Sequence, residues 1–425
     1  MPLHERAVVG AQTFDETAAA ELLNATRFVK GENGRLVFKK LPHAPRVPIF
    51  QGFQPGEVVF EPSCFEADGA VPPEWWGASG NADPACAHAN VLAINAALAA
   101  VAKTRLAVAL SGTYCIDGVV LPQSGSALKG PGGVKAVANM PVPPQSCLVA
   151  VFGQSDVVIE GIEVDGNRLN QTQDAAHTYG GICLRDASRC VVRKCNVHDG
   201  NGPLMGGACG NGIRTHCAAD IVIADNQIHD NNGCGINLYF SSKRIEVSSN
   251  TIRNNTEIGI ESEGRNGTNY AEFRNEAIAI CRNDITGSTE PSRIDDHSVL
   301  VDWTDRSMIA SNRCQRSHHN GIEMLGCKEI AVKGNVCENI GDSHPDYTWA
   351  AFRVTAEGYG ENGRSADITI CDNTATRCQN GVLIDTADRV TVGRNAVVEP
   401  AHLPPVRVGA GVTGLNLLDG AETKR

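Results

Sequence analysis

Four short polar clusters recur along the chain, each beside a short apolar run. They are Asn255-Thr256-Glu257, Asp295-Asp296, His318-His319-Asn320, and the arginine of Phe352-Arg353-Val354. Carboxylates, imidazoles and a guanidinium are the groups that transfer protons and bind oxygen-rich ligands. Glycosidic hydrolysis needs one carboxylic acid for the leaving oxygen and one carboxylate to activate water or attack the sugar. The clusters predict this acid–base chemistry if the fold brings them together.

Each residue type suggests a role. We expect Asp296 to act as general acid, because crowded carboxylates raise the pKa of one member of the group. Asp295 and Glu257 would then position water, His319 would tune the proton of the acid, and Arg353 would bind substrate oxygens. Separated carboxylates would favour an inverting mechanism. Additional substrate contacts are predicted at His318, Tyr270 and Trp303. The alternative is that these are ordinary turn and packing residues, which are common beside short strands.

A repeated phrase in the sequence indicates how these clusters are positioned. An apolar-x-apolar pair precedes an Asn, and an aliphatic residue or Cys follows it. The clear copies are at Asn226, Asn250, Asn283, Asn335, Asn373 and Asn395, and Asn196 and Asn312 are weaker copies. The steps between them run from 22 to 38 residues. A short minimum period with variable insertions is the signature of a solenoid.

The repeat predicts an all-β fold, a right-handed parallel β-helix. Its apolar residues alternate, as in strands, and about 22 residues are too few for two packed helices and their turns. The Asn would sit at the turn, bond to the same Asn one coil away and tolerate a left-handed φ. The less favoured alternative is a β-sandwich with Asn-Gly turns.

The sequence also predicts the domain organisation. Residues 88–102 are Ala-rich with an apolar face, which indicates a helix that caps the open end of the solenoid. We expect an N-terminal segment over 1–78, the β-helix with its capping helix over 79–412, and a loose tail over 413–425.

Two further phrases carry a resemblance to known proteins. Pro73-Glu74-Trp75-Trp76-Gly77-Ala78, the Ala-rich helix, and Leu110-Ser111-Gly112-Thr113-Tyr114 resemble the entry segment of the pectin-lyase-like superfamily. This resemblance covers roughly residues 73–400. It implies a parallel β-helix and, for most members, activity on carbohydrates. Asn81-Ala82-Asp83-Pro84 departs from the Asp-rich stretch that is usual there.

The polar clusters resemble the polygalacturonase family of glycoside hydrolases in their order. That family carries Asn-Thr-Asp, Asp-Asp, Gly-His-Gly and Arg-Ile-Lys on consecutive coils. Glu257 would replace the first Asp, and Thr355 stands where the family has Lys. The resemblance implies a glycosidase that cleaves poly- or oligosaccharides. Because Thr355 replaces the Lys that would meet a substrate carboxylate, the substrate is either not a galacturonate or is held in another way. A polysaccharide lyase or uronan epimerase, and a non-catalytic glycan-binding or tailspike-like β-helix, remain the alternatives.

Charge and composition limit the partners. The net charge is −11 with no Lys/Arg run, which argues against nucleic acid. The longest apolar stretch, around 91–102, is too short to span a bilayer. No signal peptide is visible, although the resemblance implies a secreted or periplasmic protein, so location stays open, as does homo-oligomerisation. No cofactor or metal is expected, with a Ca²⁺ site at Asp302 and Asp305 as the open alternative.

The chain has 16 Cys. Several fall on the repeat, where Cys314 and Cys337 take the place of Ile, and we expect these to be apolar core residues. No CxxC pair suggests zinc. Disulfides stay open for Cys64, Cys86, Cys115 and Cys147, which lie away from the repeat.

Overall fold

The computed structural model describes most of the chain from residue 69 onward and short pieces before it. The described residues are 8–9, 12–13, 28–30, 36–38, 48, 50, 53–60, 69–104, 106–143, 146–172, 174–202, 210–264, 273–289, 296–341, 348–356, 363–400 and 405–418. One α-helix, α1, spans Ala87–Ala100. Short 3-10 helices lie at Pro73–Trp76, Pro84–Cys86, Arg168–Asn170 and Ala175–His177.

Strands make up most of the rest. In chain order they are β1 (Val8–Val9), β2 (Gln12–Thr13), β3 (Phe28–Lys30), β4 (Leu36–Phe38), β5 (Val58–Phe60), β6 (Ala70–Val71), β7 (Ala107–Ala109), β8 (Thr113–Ile116), β9 (Ala127–Lys129), β10 (Gly133–Ala136), β11 (Cys147–Phe152), β12 (Val158–Glu160), β13 (Glu163–Asp165), β14 (Gly180–Arg185), β15 (Ser188–Arg193), β16 (Asn196–His198), β17 (Ile213–His216), β18 (Ala219–Ala224), β19 (Gln227–His229), β20 (Ile236–Tyr239), β21 (Lys243–Ser248), β22 (Thr251–Arg253), β23 (Ile260–Glu263), β24 (Asn275–Cys281), β25 (Asp284–Thr286), β26 (Val299–Asp302), β27 (Thr304–Ala310), β28 (Arg313–Gln315), β29 (Ile322–Leu325), β30 (Lys328–Lys333), β31 (Val336–Glu338), β32 (Phe352–Thr355), β33 (Ser365–Cys371), β34 (Thr374–Thr376), β35 (Val382–Gly393), β36 (Ala396–Val398), β37 (Val406–Thr413) and β38 (Asn416–Leu417).

From β11 onward, each coil contributes three strands in turn, and every strand pairs in parallel with the equivalent strand of the next coil. We call these the first sheet (β11, β14, β17, β20, β23, β26, β29, β32, the first half of β35, and β37), the second sheet (β12, β15, β18, β21, β24, β27, β30, β33 and the second half of β35) and the third sheet (β8, β10, β13 and every third strand to β34, then β36). The predicted right-handed parallel β-helix is confirmed.

A ladder of buried asparagines runs along one corner of the coils. The side-chain Nδ2 of Asn250 donates to Asn283 Oδ1 at 2.9 Å, and that of Asn283 donates to Asn312 Oδ1 at 2.9 Å. The pattern continues through Asn335 and Asn373, so the predicted bond between equivalent asparagines is confirmed. Each amide also bonds the backbone of a neighbouring coil.

Two details of the predicted ladder are wrong. The left-handed residue is the one before each Asn, for example Asp225 at φ 58° and Arg282 at φ 57°, because the ladder Asn needs an ordinary φ to aim its amide along the stack. Asn196 is not a ladder member. Its place is taken by Cys195, whose backbone N–H donates to Asn226 Oδ1 at 2.9 Å, and Asn196 begins β16.

The interior is a narrow apolar stack. In the third sheet, Ile285 pairs with Cys314 and Cys314 with Cys337, and all three are fully buried. These cysteines are core residues, as predicted. The cysteines among the described residues form no disulfide with one another, including Cys86, Cys115 and Cys147, for which the sequence allowed disulfides, while Cys64 lies outside the described residues.

The N-terminal end is closed by α1, which was expected at 88–102. The buried Asn90 side chain donates to Cys115 O at 3.0 Å and accepts from Ser79 N at 2.7 Å, which fixes the helix across the first coil. Buried Trp75 and Trp76 pack beside Phe50. The first coil begins at β6, earlier than the expected boundary at residue 79, since β6 pairs with β7.

Toward the other end, β38 pairs with β35, so part of the tail expected to be loose over 413–425 is strand. Within the described part of the chain, no helix combines the length and apolar character needed to cross a membrane.

Candidate functional site

The outer face of the first sheet carries a continuous row of side chains, one per coil. Alternation along each strand turns every second residue outward, and parallel register places equivalent residues ~4.8 Å apart. The row is Cys183, Arg214, Asn237, Glu261, Leu300, Glu323, Arg353, Leu383 and Arg407. Glu261 and Glu323 lie in its middle, and the arginines lie to either side of them, Arg214 on one side and Arg353 and Arg407 on the other. A second row lies two residues further along each strand and includes Tyr239, Glu263 and Asp302.

Three glutamates meet in the middle of this face. The Cys234 thiol lies 3.2 Å from Glu261 Oε2 and 3.8 Å from Glu257 Oε2. The two carboxylate oxygens are therefore at most about 7 Å apart, so they are no more widely separated than the carboxyl pairs of glycosidases. Asn237 Nδ2 donates to Glu261 Oε2 and, at 3.4 Å, to Glu263 Oε2. We call Glu257, Glu261 and Glu263 the glutamate cluster.

The cluster changes the acidity of its central member. Burial is the largest cause that raises the pKa of Glu261, followed by the charge of Glu263, and the value reaches about 7. Hydrogen bonds from Cys234 and Asn237 oppose this rise, and the charge of Glu257 adds to it. A carboxyl group with a pKa near 7 holds a proton at neutral pH and can still release it, as a general acid must.

A second buried group lies two coils further along. Glu323 accepts from Asn320 Nδ2 at 2.7 Å, and its carboxylate lies 3.2 Å from His297 Nδ1. Arg353 Nε is 3.7 Å from Glu323, and the same guanidinium pairs with Asp385 at 2.9 Å. Burial raises the pKa of Glu323, and the charge of Arg353 partly offsets that rise. The charges of Glu323, Arg353 and Asp385 therefore largely balance one another.

The structure places several of the predicted residues at or beside the starts of first-sheet strands in neighbouring coils. Glu257, Asp296 and His319 occupy the turns before the first-sheet strands of three successive coils, and Arg353 lies on the next. The backbone N–H of His319 donates to Asp296 O at 3.1 Å. The backbone N–H of His318 donates to Asp296 Oδ2 at 3.1 Å, and the His318 ring lies 3.9 Å from the same carboxylate.

Other predicted residues are placed differently. Asp295 and Tyr270 lie outside the described residues. Trp303 is only 3 % exposed and lies beside the Arg274 guanidinium, 5.1 Å from its ring centre, so its predicted role as a sugar platform is not supported. His319 stacks on Trp349 with ring centres 4.1 Å apart, which leaves that face of His319 inaccessible to a ligand.

The most informative residues were missed at the sequence level. Glu261, Glu263 and Glu323 lie inside strands, whereas the sequence-based prediction rested on the polar clusters before those strands. A signal was present. The phrases Gly259-Ile260-Glu261 and Gly321-Ile322-Glu323 put a carboxylate at the outward position of an otherwise apolar strand. Such residues face solvent on the same side as their counterparts in neighbouring coils.

Two places bear on metal binding. The Ca²⁺ alternative at Asp302 and Asp305 gains no support, because Asp305 forms a bidentate ion pair with Arg274. On the third sheet, Asp165, His198 and Asp199 bring ligand atoms within 4.8 Å of one another. That group is already neutralised, since Lys135 lies 2.5 Å from Asp165, and His198 contacts both Asp199 and Glu163.

Comparison with known proteins agrees with the fold. The family model described as the right-handed β-helix region matches residues 145–278. No curated protein sequence matches the chain.

Among solved structures, the A-module of mannuronan C-5 epimerase AlgE6 from Azotobacter vinelandii is similar at 16 % identity and a TM-score of 0.55, covering 83 % of this chain and 100 % of that one. DFA-IIIase from Arthrobacter chlorophenolicus A6 in complex with GF2 is similar at 14 % identity and a TM-score of 0.58, covering 83 % and 94 %. The Streptococcus pneumoniae surface protein and adhesin PfbA is similar at 12 % identity and a TM-score of 0.58, covering 82 % and 99 %.

These findings define the class of protein. The chain is a right-handed parallel β-helix protein. Identities this low establish the fold alone, and the function has to be argued from the site.

Proposed function

We propose that the chain is a carbohydrate-active enzyme, specifically a glycoside hydrolase that binds a poly- or oligosaccharide along the outer face of the first sheet. The observation that carries the proposal is the glutamate cluster, in which three carboxyl groups meet around Cys234 and Asn237. The row is linear with a ~4.8 Å step, which suits an extended chain of sugar units. Two structural neighbours are named as a mannuronan epimerase and a DFA-IIIase.

In this proposal Glu261 is the general acid. Its pKa of about 7 leaves it substantially protonated at neutral pH, so it can donate a proton to the leaving oxygen. Glu257 or Glu263, as the ionised partner, activates water or stabilises the developing positive charge on the sugar. Glu261 is preferred over Asp296, because Asp296 is only 1 % exposed and already accepts from the His318 backbone.

Arg353 and the histidines take supporting roles. Arg353 is ion-paired with Asp385 and Glu323, so it organises the groove and offers its remaining N–H groups to substrate oxygens. Asp296, His318 and His319 hold adjacent coils in register at the groove wall. The proposed contributions of Asp295 and Tyr270 stay as sequence-based expectations.

A lyase or epimerase acting on uronates is the second enzymatic candidate. It needs a cation for the uronate carboxylate, whereas the middle of the row is acidic and Arg353 is neutralised by neighbouring acids. A binding protein is the non-enzymatic candidate, and the likeness to an adhesin shows that the fold alone does not exclude it. The glutamate cluster favours the hydrolase over both.

The test is turnover on a panel of neutral and acidic polysaccharides, measured as newly formed reducing ends, with unsaturated ultraviolet-absorbing products as the marker of a lyase. Glu261→Gln should reduce hydrolysis by about 10²–10⁴-fold, the usual contribution of a general acid. Glu246→Gln is the matched control, because Glu246 is exposed on the second sheet. Full activity of Glu261→Gln on a substrate that the wild type cleaves would refute the proposal.

A further inference from the structure

Arg214, Asn237 and Glu261 occupy directly paired positions on β17, β20 and β23. They form the part of the row that leads from Arg214 into the glutamate cluster. Only Glu261 has a role in the proposed chemistry. The other two side chains show an unusual combination of burial and unfilled hydrogen-bonding capacity.

The amide of Asn237 has its orientation fixed by the acids. Carboxylates accept hydrogen bonds, so the Nδ2 group must face Glu261 and Glu263, as it does. The Oδ1 atom then faces away from them. It is buried in a side chain only 2 % exposed, and it has no hydrogen-bond partner among the described residues. Oδ1 therefore needs a donor.

Arg214 lacks a hydrogen-bond acceptor, whereas Asn237 lacks a donor. Its guanidinium lies 4.1 Å over the Tyr239 ring, and its Nε is buried with no acceptor in the described part of the chain. Within those residues it forms no ion pair, in contrast to Arg353 and Arg274. Stacking alone holds this half-exposed side chain, so it can shift at less cost than a salt-bridged arginine.

We propose that Arg214 and Asn237 form a subsite for a hydroxyl group on an uncharged sugar unit next to Glu261, an inference that rests on the proposed function. A hydroxyl accepts from Arg214 Nε–H and donates to Asn237 Oδ1, so one group satisfies both atoms. The paired strands hold the two residues at neighbouring positions ~4.8 Å apart. Arg214 lifts from Tyr239 to admit the hydroxyl.

The same chemistry excludes an anion at this position. A carboxylate or sulfate can accept from Arg214 but cannot donate to Asn237 Oδ1, and it would stand beside Glu261 and Glu263. Like charges so close are unfavourable. An anionic group is therefore unfavourable at this point, and repulsion from the neighbouring glutamates leads us to expect a neutral sugar there rather than a uronate.

The experiment measures binding separately from turnover. Neutral gluco-, xylo- and fructo-oligosaccharides and an oligogalacturonate of equal length are titrated into the full chain by saturation-transfer NMR. Arg214→Lys keeps the charge and the long stem but removes Nε–H. Arg185→Lys is the matched control, because Arg185 is 54 % exposed and lies beside Asp186.

Arg214→Lys should weaken binding of the preferred neutral oligosaccharide about three- to tenfold, the effect of one hydrogen bond, while Arg185→Lys leaves it unchanged. Equal affinity of Arg214→Lys and wild type, preferential binding of the oligogalacturonate, or no binding of any neutral oligosaccharide would overturn the subsite. So would a crystal structure in which Arg214 Nε donates directly to Asn237 Oδ1.

The two proposals fail separately. If the wild type hydrolyses a glycan and Arg214→Lys binds it normally, only the subsite is wrong. If a neutral oligosaccharide binds through Arg214 and no glycan is cleaved, the hydrolase proposal is wrong and the subsite stands.

Discussion

Replacing Glu261 with Gln should stabilise the protein at pH 8 and should have little effect at pH 4. The folded state raises the pKa of Glu261 from 4.5 to about 7. Between these values the folded protein binds the proton more tightly than the unfolded chain. The stability from this group is therefore complete below about pH 4.5 and is lost as the pH rises to about 7. Gln cannot ionise, so the variant avoids that loss.

The magnitude follows from the shift. A change from 4.5 to about 7 corresponds to at most about 3.4 kcal/mol above pH 7, since one pKa unit is about 1.36 kcal/mol. Although burial dominates the shift, the Glu261 side chain is not completely enclosed, and solvent screening reduces this to about 1–2 kcal/mol. For a chain of 425 residues that is a rise in Tm of about 1–4 °C.

The assay is thermal unfolding followed by circular dichroism at pH 4, 6 and 8 for wild type, Glu261→Gln and the control Glu246→Gln. A solenoid can unfold in segments, so the first transition of each curve is compared. The variant's advantage should grow from pH 4 to pH 8, and the control should show no such trend. A gain that does not depend on pH, or destabilisation at pH 8, would refute the assignment of a raised pKa to Glu261.

Three further outcomes are expected. Asn283→Ala removes buried ladder bonds on both sides and should cost about 3 kcal/mol or more, seen as a lower denaturation midpoint, whereas exposed Asn170→Ala should change it by less than about 0.5 kcal/mol. A midpoint for Asn283→Ala equal to wild type would contradict the ladder. Gly259→Ala should lower Tm and soluble yield, because its Cβ would lie 2.6 Å from a backbone oxygen, and an unchanged Tm would show that the coil spacing is wrong. In the native protein a thiol reagent should label half-exposed Cys217 quickly and fully buried Cys337 only after unfolding, and mass spectrometry of the labelled peptides would show the reverse if the register were wrong.

The fold was predictable because each coil of a parallel β-helix needs the same residue types at equivalent positions, which produces a repeat in the sequence. One Asn per coil marks a corner, and the apolar residues around it must face the core. The same rule identified Cys314 and Cys337 as core residues from the repeat alone. The prediction was wrong at Asn196. This Asn lies one residue after the ladder position, which is occupied by Cys195, but the apolar residues around it still match the repeat.

The site was only partly predictable. The repeat placed Glu257, Asp296 and His319 at equivalent turns of successive coils, each just before a first-sheet strand, and Arg353 within the strand of the next coil. Which side chains then pair depends on contacts that the sequence does not show. The bond between Arg353 and Asp385 joins residues 32 positions apart in the chain.

The glutamate cluster was missed for a related reason. Glu261 and Glu263 are ordinary polar residues in the sequence, and their importance comes from sharing Asn237 and Cys234 on the previous coil. The raised pKa of Glu261 arises first from burial, which only the assembled face supplies.

The most direct test of Glu261 as the catalytic acid is the pH dependence of kcat/KM for the best glycan substrate, measured for wild type and Glu261→Gln. Wild-type kcat/KM should fall as the pH rises through about 7, because Glu261 must be protonated to act. Glu261→Gln should lose about 10²–10⁴-fold at pH 6 and should lack that limb. A wild-type profile that stays flat through pH 7, or a limb that persists unchanged in Glu261→Gln, would contradict the central claim that this glutamate is the catalytic acid.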